Sequence, residues 1–306
     1  MHIRIGTRGS SLAIVQTDLF IKAVKQFVDP NFSHFKAGKC ANLTYEVVPI
    51  TTSGDKIQDR PLYDIGGKAL FLKELEEALI DGRIDCAVHS LKDVPATLPE
   101  ALKIGAVLER EDPRDALITG LCDNILDLPF NAKIGTSSVR RRAQLLHSRK
   151  DLQIIPIRGN VQTRIEKWKS ENLDGIVIAM AGIKRLGLYD PSTCHIVDVN
   201  QMVPSVGQGA ICVEVKSGDK LMDEICARIN HEESWITTQA ERGFLEYLNG
   251  DCRTPMGAYA KLISENEIEA KYMLAGNNLE YYRTITLRSP KIRAYNLGVQ
   301  GAMSLK

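Results

Sequence analysis

The sequence predicts an α/β protein: two α/β lobes with a central cleft, plus a small α+β domain at the C-terminus. Three observations lead there. Short apolar runs alternate with amphipathic stretches from Ile3 to Val199, the rhythm of repeated βα units. Ala210–Val215 is an apolar strand with no obvious partner in the second series of units, so the chain is expected to cross back to the first lobe there. Beyond Trp235–Leu248, strands near Ala258–Ile263, Ile268–Leu274 and Arg283–Leu287 and a helical tail read as a mixed unit. Lobes joined by paired crossings leave a cleft, where small-molecule sites concentrate. The boundaries read as 1–108 with 209–228 for the first lobe, 113–204 for the second and 231–306 for the C-terminal domain.

Each element follows from local pattern. Ile3-Arg4-Ile5 is a strand and Gly6–Ser11 the turn after it. A long helix follows with Leu12, Val15, Leu19, Val24 and Phe27 near one face, capped by Ser10 or Ser11. Strand, small polar turn and helix start make an anion site from backbone N–H groups, to which Arg8 adds a charge, although Gly-x-x-Gly spacing alone also describes a plain βα turn. Thr44–Ile50 is the second strand. The polar, Gly-rich stretch 54–67 reads as a surface loop or lid, with Lys68 just after it. Leu70–Ile80 is a helix with Leu72, Leu75 and Leu79 inside and Glu74, Glu76 and Glu77 largely outside. Ile84–Val88 and Leu102–Leu108 are strands.

In the second unit, Lys133–Thr136 is a strand ending in Thr136-Ser137-Ser138, and a helix opens with Val139-Arg140-Arg141-Arg142. Hydroxyls at a helix start followed by arginines suit a carboxylate or phosphate. Successive helical residues diverge by about 100°, so three arginines cannot face one ligand, and Arg142 is read as the solvated one. Strand Leu152–Ile157 ends in Arg158-Gly159-Asn160, and the helix Val161–Lys169 carries Arg164. Strand Gly175–Ala179 leads to Met180–Leu186 with Lys184 and Arg185, and His195–Val199 is one more strand. Strand ends repeatedly followed by cations look like a built anion pocket.

Net charge is +1 from 39 Lys and Arg against 38 Asp and Glu, which gives no global field for nucleic acid or a membrane surface. No apolar run reaches membrane-spanning length, and the N-terminus reads as entering a strand with no signal peptide. The seven cysteines are scattered and odd in number, without Cys-x-x-Cys, which argues against a disulfide framework or a metal cluster and for a reducing, intracellular setting. Cys86 and Cys212 read as core filler. Cys252 differs: it sits in the loop Gly250-Asp251-Cys252-Arg253-Thr254-Pro255, where Arg253 would favour the thiolate.

The stretch Asp85–Pro95 turns within a few residues from an apolar strand to His89, Ser90, Lys92 and Asp93, with Pro95 forbidding helix at Val94. Ligands of open α/β sheets sit beyond the carboxyl ends of strands, so this is a candidate catalytic edge.

Val88-His89-Ser90-Leu91-Lys92-Asp93-Val94-Pro95, Gly135-Thr136-Ser137-Ser138-Val139-Arg140-Arg141, Arg158-Gly159-Asn160-Val161-Gln162-Thr163-Arg164 and Asn249-Gly250-Asp251-Cys252 together resemble the hydroxymethylbilane synthase, or porphobilinogen deaminase, family. Arg8–Ala13, Gly66-Gly67-Lys68 and Val206–Ala210 match in the same order, so the likeness runs nearly end to end. It implies three domains, the first two like the lobes of type II periplasmic binding proteins. It also implies head-to-tail polymerisation of porphobilinogen into a linear tetrapyrrole, with ammonia released at each step. The primer would be a dipyrromethane cofactor held by a thioether, which falls on Cys252.

By the same resemblance Asp93 is the catalytic carboxylate, with Lys92 beside it. Lys92, Asp93, Ser138, Arg140, Arg141, Arg164 and Arg185 fall at the cofactor, and Arg8, Ser10, Lys68 and Arg158 at the substrate; no metal is implied. The chemistry makes sense of the set: each pyrrole carries acetate and propionate arms that arginines can fix, and the reaction passes through cations that a carboxylate stabilises. A monomer is the family expectation, soluble and intracellular. Asp64 stands where many relatives have lysine, a form closer to plant-type members, so the setting reads as cytoplasmic, or plastid for a plant-like source. The competing reading is a non-enzymatic two-lobed module for a small anion, which leaves Asp93 and the loop Cys252 unexplained.

Overall fold

The computed structural model describes residues 2–27, 43–56, 72–251 and 253–306. Residues 57–67 of the stretch expected as a lid, Asp64 among them, Lys68 just after it, Cys40 and Cys252 lie outside the described residues, whereas residues 54–56 of that stretch are helical rather than loop. The described chain divides into two compact units: 2–27, 43–56, 72–110 and 210–235 in the first, and the rest in the second.

The chain opens with β1 (His2–Thr7), α1 (Ser11–Phe27), β2 (Thr44–Pro49), the short α2 (Ser53–Lys56), α3 (Lys73–Ile80), β3 (Cys86–Ser90) and β4 (Leu102–Val107). In the second unit it continues as β5 (Asp115–Ile118), β6 (Lys133–Gly135), α4 (Val139–Ser148), β7 (Gln153–Ile155), α5 (Val161–Ser170), β8 (Gly175–Ala179), α6 (Met180–Arg185) and β9 (Cys194–Ile196). Next come β10 (Ile211–Lys216) and α7 (Lys220–Ile229) of the first unit, then α8 (Glu232–Leu248). The chain ends with β11 (Met256–Leu262), β12 (Glu267–Ala275), β13 (Tyr282–Pro290) and α9 (Ala294–Leu305).

The sheet of the first unit has the order β2-β1-β3-β10-β4, and one sheet of the second has β7-β6-β8-β5-β9. The plan is the same in each: a run of parallel strands, then one strand inserted antiparallel before the last. It is the lobe plan that the resemblance implies. The third sheet, β11-β12-β13, is an antiparallel meander covered by α9, the small α+β portion expected. Ala143 of α4 and Val203 pack with Met273 and Ala275 of its middle strand, within the second unit.

Ala210–Val215, unpartnered in the sequence reading, corresponds to β10, which pairs with both β3 and β4. Its apolar residues Ile211, Val213 and Val215 join Ile3, Ile5, Phe20 and Val24 in the core of the first unit. The strand β5 was not anticipated. Four residues beginning with an aspartate give little periodic signal, yet all four are buried, because antiparallel neighbours cover β5 on both sides.

Two helix faces differ from expectation. The buried residues of α1 are Ala13, Gln16, Thr17, Phe20 and Val24, while Leu19 and Phe27 are exposed. Apolar counting misplaced the face because two polar residues turn inward with partners: Thr17 Oγ1 donates to the Ala13 carbonyl at 3.0 Å, and Gln16 Nε2 to Ser90 Oγ at 2.8 Å. On α3, Leu75 and Leu79 are buried as expected, but so is Glu76. Among the described residues no helix is long and apolar enough to cross a membrane.

Candidate active site

In the first unit the site is set by where β3 ends. Leu91 and Val94 are buried with Leu72, Val107, Ala210 and Cys212, and the single 3₁₀ turn Leu91–Asp93 lies between them. With both ends pinned in the core, Lys92 and Asp93 are left exposed. Val94 is extended, as the following Pro95 requires. Asp93 lines a cavity of about 70 Å³ with Arg8, Ser10, Gln16, His89 and Ser90 among others. Arg8 and Ser10 come from the turn after β1. Ser10 is the helix cap, its Oγ accepting from the Ala13 N–H at 3.3 Å. The structure thus brings Asp93, Arg8 and Ser10 together, with Lys92 next to Asp93 in the same turn. Gln16 was missed by sequence reasoning; its bond to Ser90 ties the wall of the cavity to β3. His89 is buried, with Nε2 3.0 Å from Oε2 of Glu214 on β10.

In the second unit, the inserted strand decides the geometry. Because β5 runs against β8, its first residue, Asp115, lies opposite Ala179, the last residue of β8. A carboxylate is therefore delivered to the carboxyl edge of the parallel strands. Arg141 Nε and Nη2 donate to Asp115 Oδ1 at 3.0 and 2.7 Å, and its Nη1 to the Val177 carbonyl at 3.0 Å. Arg140 Nη1 lies 2.7 Å from Asp115 Oδ2 and donates to the Val203 carbonyl at 2.6 Å. Gln208 Nε2 adds a bond to Asp115 Oδ1 at 2.9 Å. Burial pushes the Asp115 carboxyl up, but the two guanidinium charges outweigh it and hold the group well below the ordinary carboxylate range. Arg140 and Arg141, expected to face cofactor carboxylates, have a carboxylate of the protein itself as partner. Asp115 and Gln208 were missed, the first because its strand was. Arg142 is exposed, as read.

Of the remaining cations, Arg158 sits on a loop, Arg164 in the first turn of α5 and Arg185 at the end of α6. Ser138 caps α4, its Oγ accepting from the Arg141 N–H at 3.4 Å. Asn160 caps α5 by accepting from the Thr163 N–H at 2.8 Å. Between them, Gly159 adopts φ of 119°, which an L side chain rarely takes. Arg158 is half-buried, and its Nη1 is buried without a hydrogen-bond partner among the described residues. Arg164 Nε donates to the Gly159 carbonyl at 2.8 Å. Arg185 Nη2 donates to the Gly209 carbonyl at 2.7 Å, and burial pulls its guanidinium down to about 10. A cation desolvated to that extent is stabilised by an incoming anion.

The described cysteines, Cys86, Cys122, Cys194, Cys212 and Cys226, are free thiols. Burial pushes Cys194 up to about 11 and Cys226 up to about 12, so neither is a nucleophile near neutrality. Around the loop cysteine, Arg253 donates through Nε and Nη2 to Asp251 Oδ2 at 3.0 and 2.7 Å. Asp251 thus holds the guanidinium in the loop, and the expected effect of Arg253 on the Cys252 thiolate lies outside the described residues.

A larger cavity of about 400 Å³ in the second unit is lined by Leu117, Asp123, Asn124, Asp198 and Gln201 among others. It offers two carboxylates and no cation, the wrong chemistry for an anionic ligand. Among the described residues no group of three or more His, Cys, Asp and Glu could hold a metal.

Comparison with known proteins bears on what this arrangement serves. The family model "Porphobilinogen deaminase, dipyromethane cofactor binding domain" matches residues 3–224, and "Porphobilinogen deaminase, C-terminal domain" matches residues 235–306. The chain is 50% identical over 278 residues to the porphobilinogen deaminase of Rickettsia canadensis (strain McKiel), spanning 91% of this chain and 88% of that one. It is 45% identical over 307 residues to that of Orientia tsutsugamushi (strain Boryong), spanning 100% and 98%. Among solved structures it is similar to the probable amino-acid ABC transporter extracellular-binding protein ytmK from Bacillus subtilis, at 11% identity and a TM-score of 0.44, over 74% of this chain and 88% of that one. Matched along nearly its whole length by both models and at this identity by full-length relatives, the chain belongs to the porphobilinogen deaminase family.

Proposed function

We propose that the chain is a transferase that deaminates porphobilinogen and joins it head to tail into hydroxymethylbilane, with Asp93 as the catalytic carboxylate. Family membership carries the activity. The observation that carries the site is the exposed Asp93 lining one cavity with Arg8 and Ser10. A non-enzymatic anion-binding module is not favoured, since nothing in such a module calls for an acid among the anion's ligands.

The residues present suit a dipyrromethane, whose arms are carboxylates. The orphaned Nη1 of Arg158 and the desolvated guanidinium of Arg185 both call for an anion. The capped start of α4 at Ser138 and the α5 residue Arg164 supply further donors. Among the described residues Arg140 is paired through Nη1, which leaves Nε and Nη2 for a ligand, whereas Arg141 serves chiefly to fix Asp115. When bound, the dipyrromethane supplies the nucleophilic pyrrole carbon to which substrate is added. Arg8 and Ser10, with Lys68, hold the substrate's carboxylate arms. Asp93 stabilises the positive charge that develops on the substrate as ammonia leaves its protonated aminomethyl group, and Lys92 steadies the acid and the arms beside it. Cys252, by its place in the family's motif, is the attachment point through a thioether. The family relatives named above are bacterial, which supports a cytoplasmic setting over a plastid one, and we take the working form to be a monomer.

Intact-protein mass tests this reading. Active protein should exceed its polypeptide mass by one dipyrromethane, and Cys252→Ser should remove that increment and the release of ammonia from porphobilinogen together. Active protein with the bare polypeptide mass would overturn the cofactor assignment.

A further inference from the structure

Among the described residues the guanidinium of Arg185 pairs with no carboxylate, although one lies beside it. Its Nη2 donates to the Gly209 carbonyl at 2.7 Å, and the backbone N–H of Glu111 donates to the same oxygen at 3.1 Å. Gly209 sits so close to Glu111 that a Cβ there would overlap the Glu111 carbonyl oxygen. The guanidinium and Glu111 are therefore neighbours across one carbonyl. Burial pushes the Glu111 carboxyl up, but the Asp112 N–H and the charges of Lys184 and Arg185 outweigh it and hold the group below its ordinary value.

What takes the Glu111 carboxylate is Lys184, the residue before Arg185 on α6. Lys184 Nζ donates to Glu111 Oε1 at 3.0 Å and lies 3.7 Å from Asp112 Oδ2. The same Glu111 oxygen accepts from the Asp112 N–H at 2.9 Å, which folds the side chain back along its own backbone. Asp112 has a further partner: Arg114 donates to it through Nε and Nη2 at 2.9 and 2.7 Å. Two acids just before β5 are thus met by Lys184 and Arg114, and Arg185 is left over. Pairing strength alone would divide them differently. A guanidinium can grip a carboxylate through two parallel hydrogen bonds, which an ammonium cannot. Arg185, pulled down by burial, also gains more from an anion than Lys184, whose side chain is 39% exposed. If Lys184 lost its charge, the Glu111 carboxylate would turn to Arg185.

We propose that Lys184 is a positioning residue: by engaging Glu111 it keeps the guanidinium of Arg185 open to a carboxylate arm of the pyrrole chain. This deepens the reading of Arg185 as an anion ligand and rests on it. With Lys184 in place, the Gly209 carbonyl aims the guanidinium through Nη2, and its other N–H groups remain for the arm. Without Lys184, an arm must first displace an acid of the same chain, which is always present. The penalty falls on binding and not on the chemical step, so it reads as a raised KM at unchanged kcat.

The test uses the full chain purified with its own cofactor. Lys184→Met keeps the length of the side chain and removes its charge, Lys184→Arg keeps the pair, and Lys184→Met combined with Glu111→Gln removes the pair and the competitor together. Lys184→Met should raise KM for porphobilinogen about 10-fold, the worth of one hydrogen bond to a charged group, with kcat within about 3-fold. It should also lower the fraction of protein whose intact mass includes the dipyrromethane. Lys184→Arg should match wild type. The double variant should bring KM and the loaded fraction back to within about 3-fold of wild type, a rescue that a merely structural lysine would not allow, since a part-exposed ion pair is worth little by itself. Wild-type KM and loading in Lys184→Met, or a double variant as impaired as the single one, would overturn the inference. Arg185→Gln separates it from the reading beneath. If that variant raises KM and Lys184→Met does not, only the role of Lys184 fails; if neither does, Arg185 holds no arm and both fail. If unaltered protein releases no ammonia from porphobilinogen, the deaminase reading itself fails.

Discussion

Replacing Asp115 by asparagine keeps the shape of the side chain and removes one negative charge from a place where Arg140 and Arg141 are 4% and 5% exposed. In the native protein one carboxylate faces two guanidiniums, at 2.7 Å for each closest contact. Breaking a buried ion pair from one side costs about 3–5 kcal/mol, because the partner's charge stays buried without compensation. The asparagine oxygen can still accept from one arginine, and the Val177 and Val203 carbonyls still accept from both, so the low end, about 3 kcal/mol, applies. For a unit of this size each kcal/mol shifts the thermal midpoint by about 2–4 °C, giving a fall of roughly 6–12 °C. Calorimetry of the loaded protein reads that shift, and intact mass reads cofactor content on the same sample. Cofactor content should fall too, since Arg140 loses its charged anchor and keeps only the Val203 carbonyl. A midpoint within about 2 °C of wild type would refute the reasoning, because the carbonyls alone would then suffice to hold both arginines.

Two further expectations concern charge. The Asp115 carboxyl is depressed in the folded state, so its contribution is present above the unfolded value near ~3.9 and is lost as pH falls from there toward the folded value. Thermal midpoints of wild type should therefore drop more steeply below about pH 4 than those of Asp115→Asn, and parallel curves would contradict the assignment. Asp93→Asn, at an exposed position outside the core, should leave the midpoint nearly unchanged while lowering turnover by at least about 100-fold; near-normal ammonia release would remove Asp93 from the reaction.

What the sequence reveals here depends on whether the signal is periodic and local. The βα rhythm, the three C-terminal strands and the hydroxyl start of α4 at Ser138 can be read from spacing and residue type. The turn Leu91–Asp93 can be read as a polar edge because Pro95 and the apolar run before it bracket it. Gln16, Glu76, Asp115 and Glu214 could not be read as site residues. Each is a polar side chain turned inward, and three of them have a partner distant in sequence: Ser90 for Gln16, His89 for Glu214, and Arg140 with Arg141 for Asp115. Hydropathy places such residues outside by default, which is why Gln16 and Thr17 on α1 and Glu76 on α3 fall outside the faces it marks as buried. One signal was available: a glutamate inside the otherwise apolar Ile211–Val215 is costly to bury alone, so its presence implied a buried partner.

The position of β10 has a consequence for how the chain acquires its shape during synthesis. The second unit's five-stranded sheet draws all its strands from one continuous stretch, 115–196, and can close as soon as that stretch leaves the ribosome. The first sheet cannot, because β10 fills the gap between β3 and β4 and is made about a hundred residues after them. Until then the N-terminal strands have two open edges facing each other, the most aggregation-prone state a sheet can wait in. A released chain truncated after residue 209 should thus be protease-resistant across 115–196 and sensitive across 2–107, the reverse of the usual N-terminus-first order.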